Sequence, residues 1–468
     1  MELHRIVFRA ASLGLACLAT SACGAADSST IAFREVNVVD VVDGGIDRRR
    51  TVVVAGDRIV AIGPADEVEI PGGARVVDAA DGYLMPGLWD MHVHLTDATE
   101  LALPVLLANG VTGVRDAGGD IELLQRLERE RAGGVRRSPR LVVPGPYVDG
   151  AKELPHRIVV ETADDGRAAA DSLARAGVDY LKIHNGVPRE AYFALVDRAR
   201  ELGLPVVGHI PMEVAPGEAA RAGQTGVEHF ATLFEGTLRQ RVESDPLAFM
   251  RRYVESGLDT LVASFAAADV WFTPTLHAYW IRAKRGELAA DPDPRLRYVA
   301  PSLRQQWDAW FPVREQDSAP EVVAAREAFY RVGLDIVAAA DGAGVRLLAG
   351  TDLALRDVLP GFHLHDELAA LVEAGLSPHA ALRTATLNPA RFLGREGELG
   401  TVAQGKLADL VLLDANPLED VRNTRRIRAV MVDGELLDRE ALREMLGRVE
   451  RAVEERLHDQ DGVATTRQ

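Results

Sequence analysis

The sequence predicts an α/β protein: a (β/α)8 TIM barrel carrying a small β-sandwich domain built from both chain ends. Three observations lead there. The middle of the chain alternates short apolar runs with helical segments, the pattern of parallel strands joined by crossover helices. Those runs number about eight, as a closed barrel requires. Runs of β-branched residues broken by Gly and Asp precede the barrel and return after it, so one sheet domain takes strands from both ends.

Length and composition agree. The 468 residues are 47% hydrophobic and 26% charged, ordinary for a soluble globular enzyme. The net charge of −17, from 53 basic and 70 acidic residues, disfavours nucleic acid as a partner. Arg48-Arg49-Arg50 and Arg136-Arg137 read as solvated loops.

Residues 1–22 have the layout of a secretory signal. His4, Arg5 and Arg9 precede an apolar run from Ala10 to Ala19, and small residues lead to Cys23. The run is too short to span a membrane. Thr20-Ser21-Ala22-Cys23 is similar to a lipoprotein cleavage site, so the expectation is an exported protein, periplasmic or anchored to the membrane through lipid on Cys23. Simple cleavage near Ala25 or Ala26 is the alternative. Cys17, the other cysteine, lies inside the signal, which excludes a disulfide within the mature chain.

The first part of the sheet domain spans 30–86. Its strands are Glu35–Val39, Thr51–Val54 and Arg58–Ile62, with turns at Asp43-Gly44-Gly45 and Ala55-Gly56-Asp57. The barrel covers 87–397. Its strands are Gly87–His94, Thr112–Asp116, Arg140–Val143, Tyr180–Ile183, Pro205–His209, Gly226–His229, Trp271–Thr275 and Arg346–Gly350. Among its helices, Pro188–Leu202 is plain: Pro188 suits a first position, Tyr192, Val196, Ala199 and Leu202 form a stripe, and Gly203 ends it. A helical insertion at about 277–345 carries Trp280, Trp307, Trp310, Phe311 and Tyr330. It is either a lid or substrate wall on the catalytic face, or a hairpin on the barrel flank with the aromatics as its core. Strands Leu410–Leu413 and Val430–Leu436 complete the sheet domain over 398–440. A helix and tail fill 441–468, with Leu442, Leu446, Val449, Val453 and Leu457 as its packing stripe and no structure expected after Asp459.

Barrel strand ends carry the chemistry. Alternate strand residues share a face, so His92 and His94 present two imidazoles together. Lys182 sits inside an apolar strand, His209 and His229 each finish one, and Asp352 follows the last. Parallel strands open onto one face, so these six converge although far apart in sequence. Imidazole and carboxylate donors without a thiolate suit Zn²⁺ first, with Mn²⁺, Co²⁺ or Ni²⁺ as alternatives.

This set, in this order, resembles the amidohydrolase superfamily, in the binuclear group whose bridging ligand is a carboxylated lysine. Thr384-Ala385-Thr386-Leu387-Asn388-Pro389-Ala390 and Gly405-Lys406-Leu407-Ala408-Asp409-Leu410-Val411-Leu412 are similar in style, and the resemblance covers nearly all of the chain after the signal. It implies two divalent ions. His92 and His94 would bind the first, His209 and His229 the second, and Lys182 would bridge them as N6-carboxylysine. Asp352 would bind the first and move protons. It implies further that a metal-bridged hydroxide attacks an amide-type C–N bond, with Asp352 passing the proton to the leaving nitrogen. The style is that of the Xaa-Pro dipeptidase and imidazolonepropionase-related branch, which suggests a dipeptide or N-acyl amino acid as the small-molecule substrate. Many members of that branch carry tyrosine two residues after the strand-five histidine; Pro211 stands here.

Further candidates for the pocket are Arg115, Tyr147, His184, His277, His363 and His365. Arg115 could clamp a carboxylate or form an internal ion pair, and His156 lies in the same loop as Tyr147. A homo-oligomer is expected. Two other functions fit the sequence: an esterase, lactonase or phosphotriesterase on the same centre, or a binding protein on an inactive barrel.

Overall fold

Both chain ends meet in one sheet. The computed structural model describes residues 30–150, 155–240 and 246–465; the signal segment and Cys23 lie outside them. Tyr83–Pro86 is the junction. It runs parallel to Thr30–Val39, with Val38 opposite Leu84, and antiparallel to Leu410–Leu413, with Met85 opposite Val411. From there the sheet continues to Ile427–Val432 and Glu435–Asp438 on one side, and to Ile46–Ala55 and Arg58–Pro64 on the other. Phe33, Val52, Val54, Leu84 and Leu412 are buried in its core. Its tight turns are those the residues demand. Asp433 and Gly434 both have positive φ, 47° and 79°, between the paired Val432 and Glu435, as a two-residue Asp-Gly hairpin requires.

The first strand begins at Thr30, before the expected Glu35. Glu35 is itself exposed at φ 58°, and the register shifts between Phe33 and Val36. This bulge breaks the alternation by which a strand is read from sequence.

The middle of the chain forms parallel sheets. One has three strands, Leu88–Val93, Val111–Asp116 and Arg140–Val142. The other has seven: Arg157–Val159, Tyr147–Asp149, Leu181–Ile183, Val206–Gly208, Gly226–Glu228, Trp271–Thr273 and Arg346–Leu347. Every pairing is parallel, as crossover connections dictate. Backbone hydrogen bonds link the two sheets: Met91 N–H to Ala349 O at 2.9 Å, Asp352 N–H to His92 O at 2.9 Å, and Asp179 N–H to Val143 O at 2.8 Å. Tyr147–Asp149 and Arg157–Val159 are an extra edge pair in the loop after Arg140–Val142.

The helix predicted from Pro188 spans Arg189–Leu202, with Pro188 as its cap and Gly203 at φ 71°. Its Tyr192, Val196 and Ala199 are fully buried. The insertion consists of Leu276–Ala283, Arg285–Ala290, Pro301–Trp310 and Pro320–Gly342 with short 3-10 turns. Trp307 packs inward and donates from Nε1 to Ala354 O at 2.7 Å, and Tyr330 donates to Glu373 at 2.9 Å. Trp310, in contrast, is 50% exposed. The C-terminal helix Arg439–Thr465 continues past Asp459, where no structure was expected. Of its stripe, Leu442, Val449 and Val453 are buried against the body, Leu446 is partly buried and Leu457 is exposed; Met445, outside the expected stripe, is buried beside them.

Candidate metal centre

Each expected ligand stands at or just beyond a strand end, and local backbone turns aim it inward. His229 and Asp352 adopt φ 64° and 60°, a left-handed bend that turns the chain off the strand. Gly208 precedes His209 at φ 139°, and a Cβ there would lie 2.1 Å from Ile183 O. Only glycine lets that strand approach its neighbour so closely.

The bends bring His92, His94, Lys182, His209, His229 and Asp352 to one cavity of about 290 Å³. Asp352 is its hub. Oδ1 lies 3.3 Å from His92 Nε2 and 3.2 Å from His94 Nε2, and Oδ2 lies 3.6 Å from His229 Nδ1. The rings form a chain: His92 to His229 at 4.6 Å, His229 to His209 at 4.8 Å, and His209 to His184 at 4.2 Å between centroids. His94 Nδ1 lies 3.0 Å from the Tyr147 hydroxyl.

Electrostatics keep donors ready for a cation. Burial drives the His209 imidazole well below its usual range, and the neighbouring His184 and His229 add to the shift. Burial lowers His229 to about 3 against the opposing pull of Asp352. Both rings are therefore neutral at ordinary pH, with lone pairs available to a metal. For Asp352, burial pushes the carboxyl up, but its interactions with the His229, His92 and His94 imidazoles outweigh it and hold it well below the carboxylate range. Among the described residues, both nitrogens of His92 and Nδ1 of His209 are buried without a well-aligned hydrogen bond. Buried polar nitrogens seldom stay so, and a nitrogen-and-oxygen donor set with no thiolate fits a borderline divalent ion. His92, His94 and Asp352 offer ligand atoms that lie close together, as do His92, Glu228 and His229.

The remaining candidates divide. Tyr147 and His184 line the cavity, together with His156 and Arg157. His184 Nδ1 is 3.0 Å from Asp149, which also pairs with Arg157 at 3.1 Å. Arg115 does not serve as a clamp in the cavity. It is completely buried, and its guanidinium donates to Glu228 at 2.7 Å, Met91 O at 2.8 Å and Thr273 at 3.3 Å. The internal ion pair is the correct alternative.

The other three histidines are corrected as well. His277 and His363 face a separate cavity of about 300 Å³ beside Asp366, because each sits in the first turn of a helix that leads away from the centre. His363 Nδ1 accepts from Leu359 N–H at 3.0 Å, which leaves the ring proton on Nε2 and no lone pair for a metal there. His365 bonds to Thr424 Oγ1 and Asn109 O at 2.9 and 3.1 Å and is structural.

Reading the sequence alone missed Glu228 and Asp90, and Gln306 within the insertion. Glu228 sits against Lys182 Nζ and 3.2 Å from His92 Nδ1; a charge inside Val227-Glu228-His229 was its only signal. Asp90 accepts from Thr351 N–H, Thr351 Oγ1–H and His92 N–H, and so ties the first strand to the turn before Asp352. Gln306, Trp310 and Phe311 of the insertion form a wall of the cavity, so the insertion combines both expected roles: an aromatic core and a substrate-facing edge.

Comparison with known proteins agrees with this geometry. The profile of the amidohydrolase family matches residues 83–437. Adenine deaminase 3 of Rhizobium meliloti (strain 1021) is 26% identical over 395 residues, 82% of this chain and 55% of its own. A dihydroorotase of Anaeromyxobacter dehalogenans (strain 2CP-C) is 25% identical over 402 residues, 80% of this chain and 86% of its own. The chain thus spans about half the length of the adenine deaminase it matches. Among solved structures, a bottromycin amidohydrolase superposes with a TM-score of 0.75 at 27% identity, covering 91% of both chains.

Proposed function

The chain belongs to the amidohydrolase family, and from that premise we propose that it is a metal-dependent hydrolase of an amide-type C–N bond. One observation carries the reading: six residues of metal-binding type, set at or near the ends of five strands, line a single cavity. His92, His94 and Asp352 would hold one divalent ion and His209 and His229 a second, with Zn²⁺ the best match to the donors. Lys182 would bridge the two as a carbamate. Its ammonium gives up a proton, the freed Nζ pair forms a bond to the carbon of CO₂, and a second proton leaves the nitrogen, so the side chain changes from cation to anion. Two ions held there would polarise the scissile carbonyl and make a bound water acidic enough to attack near neutral pH.

The protein's own groups do the rest. Asp352, pinned between His92 and His94, takes the proton of the attacking water and hands it to the departing nitrogen. Tyr147, His184 and the Asp149-paired Arg157 give one wall of the cavity hydrogen-bond donors, and Trp310 and Phe311 make another wall apolar. A small substrate with a polar or anionic end and an apolar end, such as a dipeptide or N-acyl amino acid, matches both. The scaffold we infer for this chemistry is a (β/α)8 barrel with the sheet domain folded as a sandwich; the bonds from Met91 N–H to Ala349 O and from Asp352 N–H to His92 O, which join the first strand to the segment after the last, support closure. Export, with or without lipid on Cys23, is proposed from the N-terminal sequence only.

Metal analysis with substrate profiling tests the proposal. Two equivalents per chain and turnover of N-acyl amino acids or dipeptides support it. Less than one equivalent after purification with Zn²⁺, or turnover confined to lactones or phosphotriesters, contradicts it.

A further inference from the structure

Glu228 is a buried carboxylate at the centre that the proposed reaction does not use. It is completely buried, and its two oxygens are divided between different partners. Oε1 lies 2.7 Å from Arg115 and 3.2 Å from His92 Nδ1, and Oε2 lies against Lys182 Nζ. We infer that Glu228 is a positioning residue for the metal centre, acting through His92 and Lys182. This rests on the proposed reading of those two residues as ligands.

The histidine half of the argument follows from proton placement. His92 Nε2 faces Asp352 at 3.3 Å and can bind an ion only if the ring proton is on Nδ1. His92 and Glu228 are both completely buried, and that proton therefore needs an acceptor; Glu228 Oε1 lies within reach at 3.2 Å. The contact is without the alignment of a full hydrogen bond. A carboxylate behind a ligating imidazole fixes its tautomer and orientation and raises its basicity.

The lysine half follows from what carboxylation leaves behind. A carbamate keeps one N–H, and Glu228 Oε2 already stands against that nitrogen. Accepting this N–H fixes rotation about the Cε–Nζ bond, and with it the plane of the two oxygens that must face the two ions. Arg115 holds Glu228 in place, because its guanidinium is itself fastened to Met91 O and Thr273. One carboxylate therefore sets the direction of a terminal ligand and of the bridge together.

Glu228→Gln in the full chain tests this, since it keeps volume and one acceptor but presents N–H donors where an acceptor is needed. Parent and variant are loaded with Co²⁺ in ¹³C-bicarbonate. Affinity is read by chelator competition, ligand geometry by the visible Co²⁺ spectrum, and carboxylation by the carbamate ¹³C resonance. The expected result is metal affinity roughly 10–100-fold weaker, with an altered Co²⁺ spectrum and a diminished carbamate signal. A variant within twofold of the parent in affinity, with the same spectrum, overturns the inference. Should Glu228→Gln fail to fold, the double variant Arg115→Met, Glu228→Met removes the buried pair as a unit. Loss of affinity there supports positioning, and parental affinity overturns it, because neutralising Arg115 would then have been the whole role. A parent that binds less than one equivalent overturns the proposed function and this inference with it; a fully loaded parent with an unaffected variant overturns the positioning role alone.

Discussion

Asp352→Asn separates catalysis from folding at this centre. The residue sits at φ 60°, a conformation asparagine accepts as readily as aspartate, so the backbone is not strained by the change. The amide keeps the shape of the side chain and one oxygen for the contacts to His92 and His94 at 3.3 and 3.2 Å. What it loses is the ability to carry a proton. A positioned general acid–base group is worth roughly 10²–10⁴ in rate, or about 3–5 kcal/mol of barrier. The assay is kcat on an N-acyl amino acid or dipeptide, with bound metal measured in the same samples and normalised. The expected variant is folded, still holds metal, and turns over about 10²–10⁴-fold more slowly. A metal-loaded variant with kcat within about tenfold of the parent would refute the proton-carrying role.

Lys182→Ala removes the proposed bridge and should lose one or both ions; full occupancy by elemental analysis contradicts the bridge. Trp310→Ala removes an exposed aromatic wall of the cavity and should raise KM several-fold with metal content unchanged; kinetics identical across substrates with apolar groups of different size would remove Trp310 from the substrate path. Glu367 supplies a pH prediction. It is fully buried, accepts the backbone N–H groups of Leu276 and His277, and burial pushes its carboxyl up to about 8 from 4.5. A raised carboxyl binds its proton more tightly in the folded state, so this stabilisation is complete below about pH 4.5 and is lost as pH rises towards 8. Tm of the metal-free chain should fall between pH 5 and 8, and Glu367→Gln should flatten that limb; an unchanged slope in the variant would contradict the assignment.

How much of this was legible before the structure depends on whether the signal runs along the chain or across it. The strand read over Val430–Leu436 is instead a hairpin that turns at Asp433-Gly434, but His92 and His94 two apart in a strand, and Gly203 after the stripe of Tyr192, Val196 and Ala199, are local patterns. Strand alternation, helical period and turn chemistry act within a few residues, and these elements stand as read. The convergence of the strand-end donors on one cavity was legible for the same reason, because parallel strands joined by crossovers leave little freedom in where their ends point.

Direction across the fold was not legible. Arg115 and Glu228 are charges inside apolar strands, and whether such a charge meets substrate or another buried charge depends on which strands flank it. His277, His363 and His365 follow strand ends as the ligands do, but each belongs to a helix whose axis carries its ring to another cavity or into the core. Glu35 hid the start of the first strand, because a bulge reverses the inside–outside pattern at a single residue. The sequence by itself thus determined the strand ends, their order and the donor types, since these follow from short-range stereochemistry and connectivity. Tertiary structure alone decided that Trp310 walls the cavity, that Arg115 is locked beneath it, and that Glu228 stands behind both His92 and Lys182. Those contacts join residues tens to more than a hundred positions apart, and only packing can bring their side chains face to face.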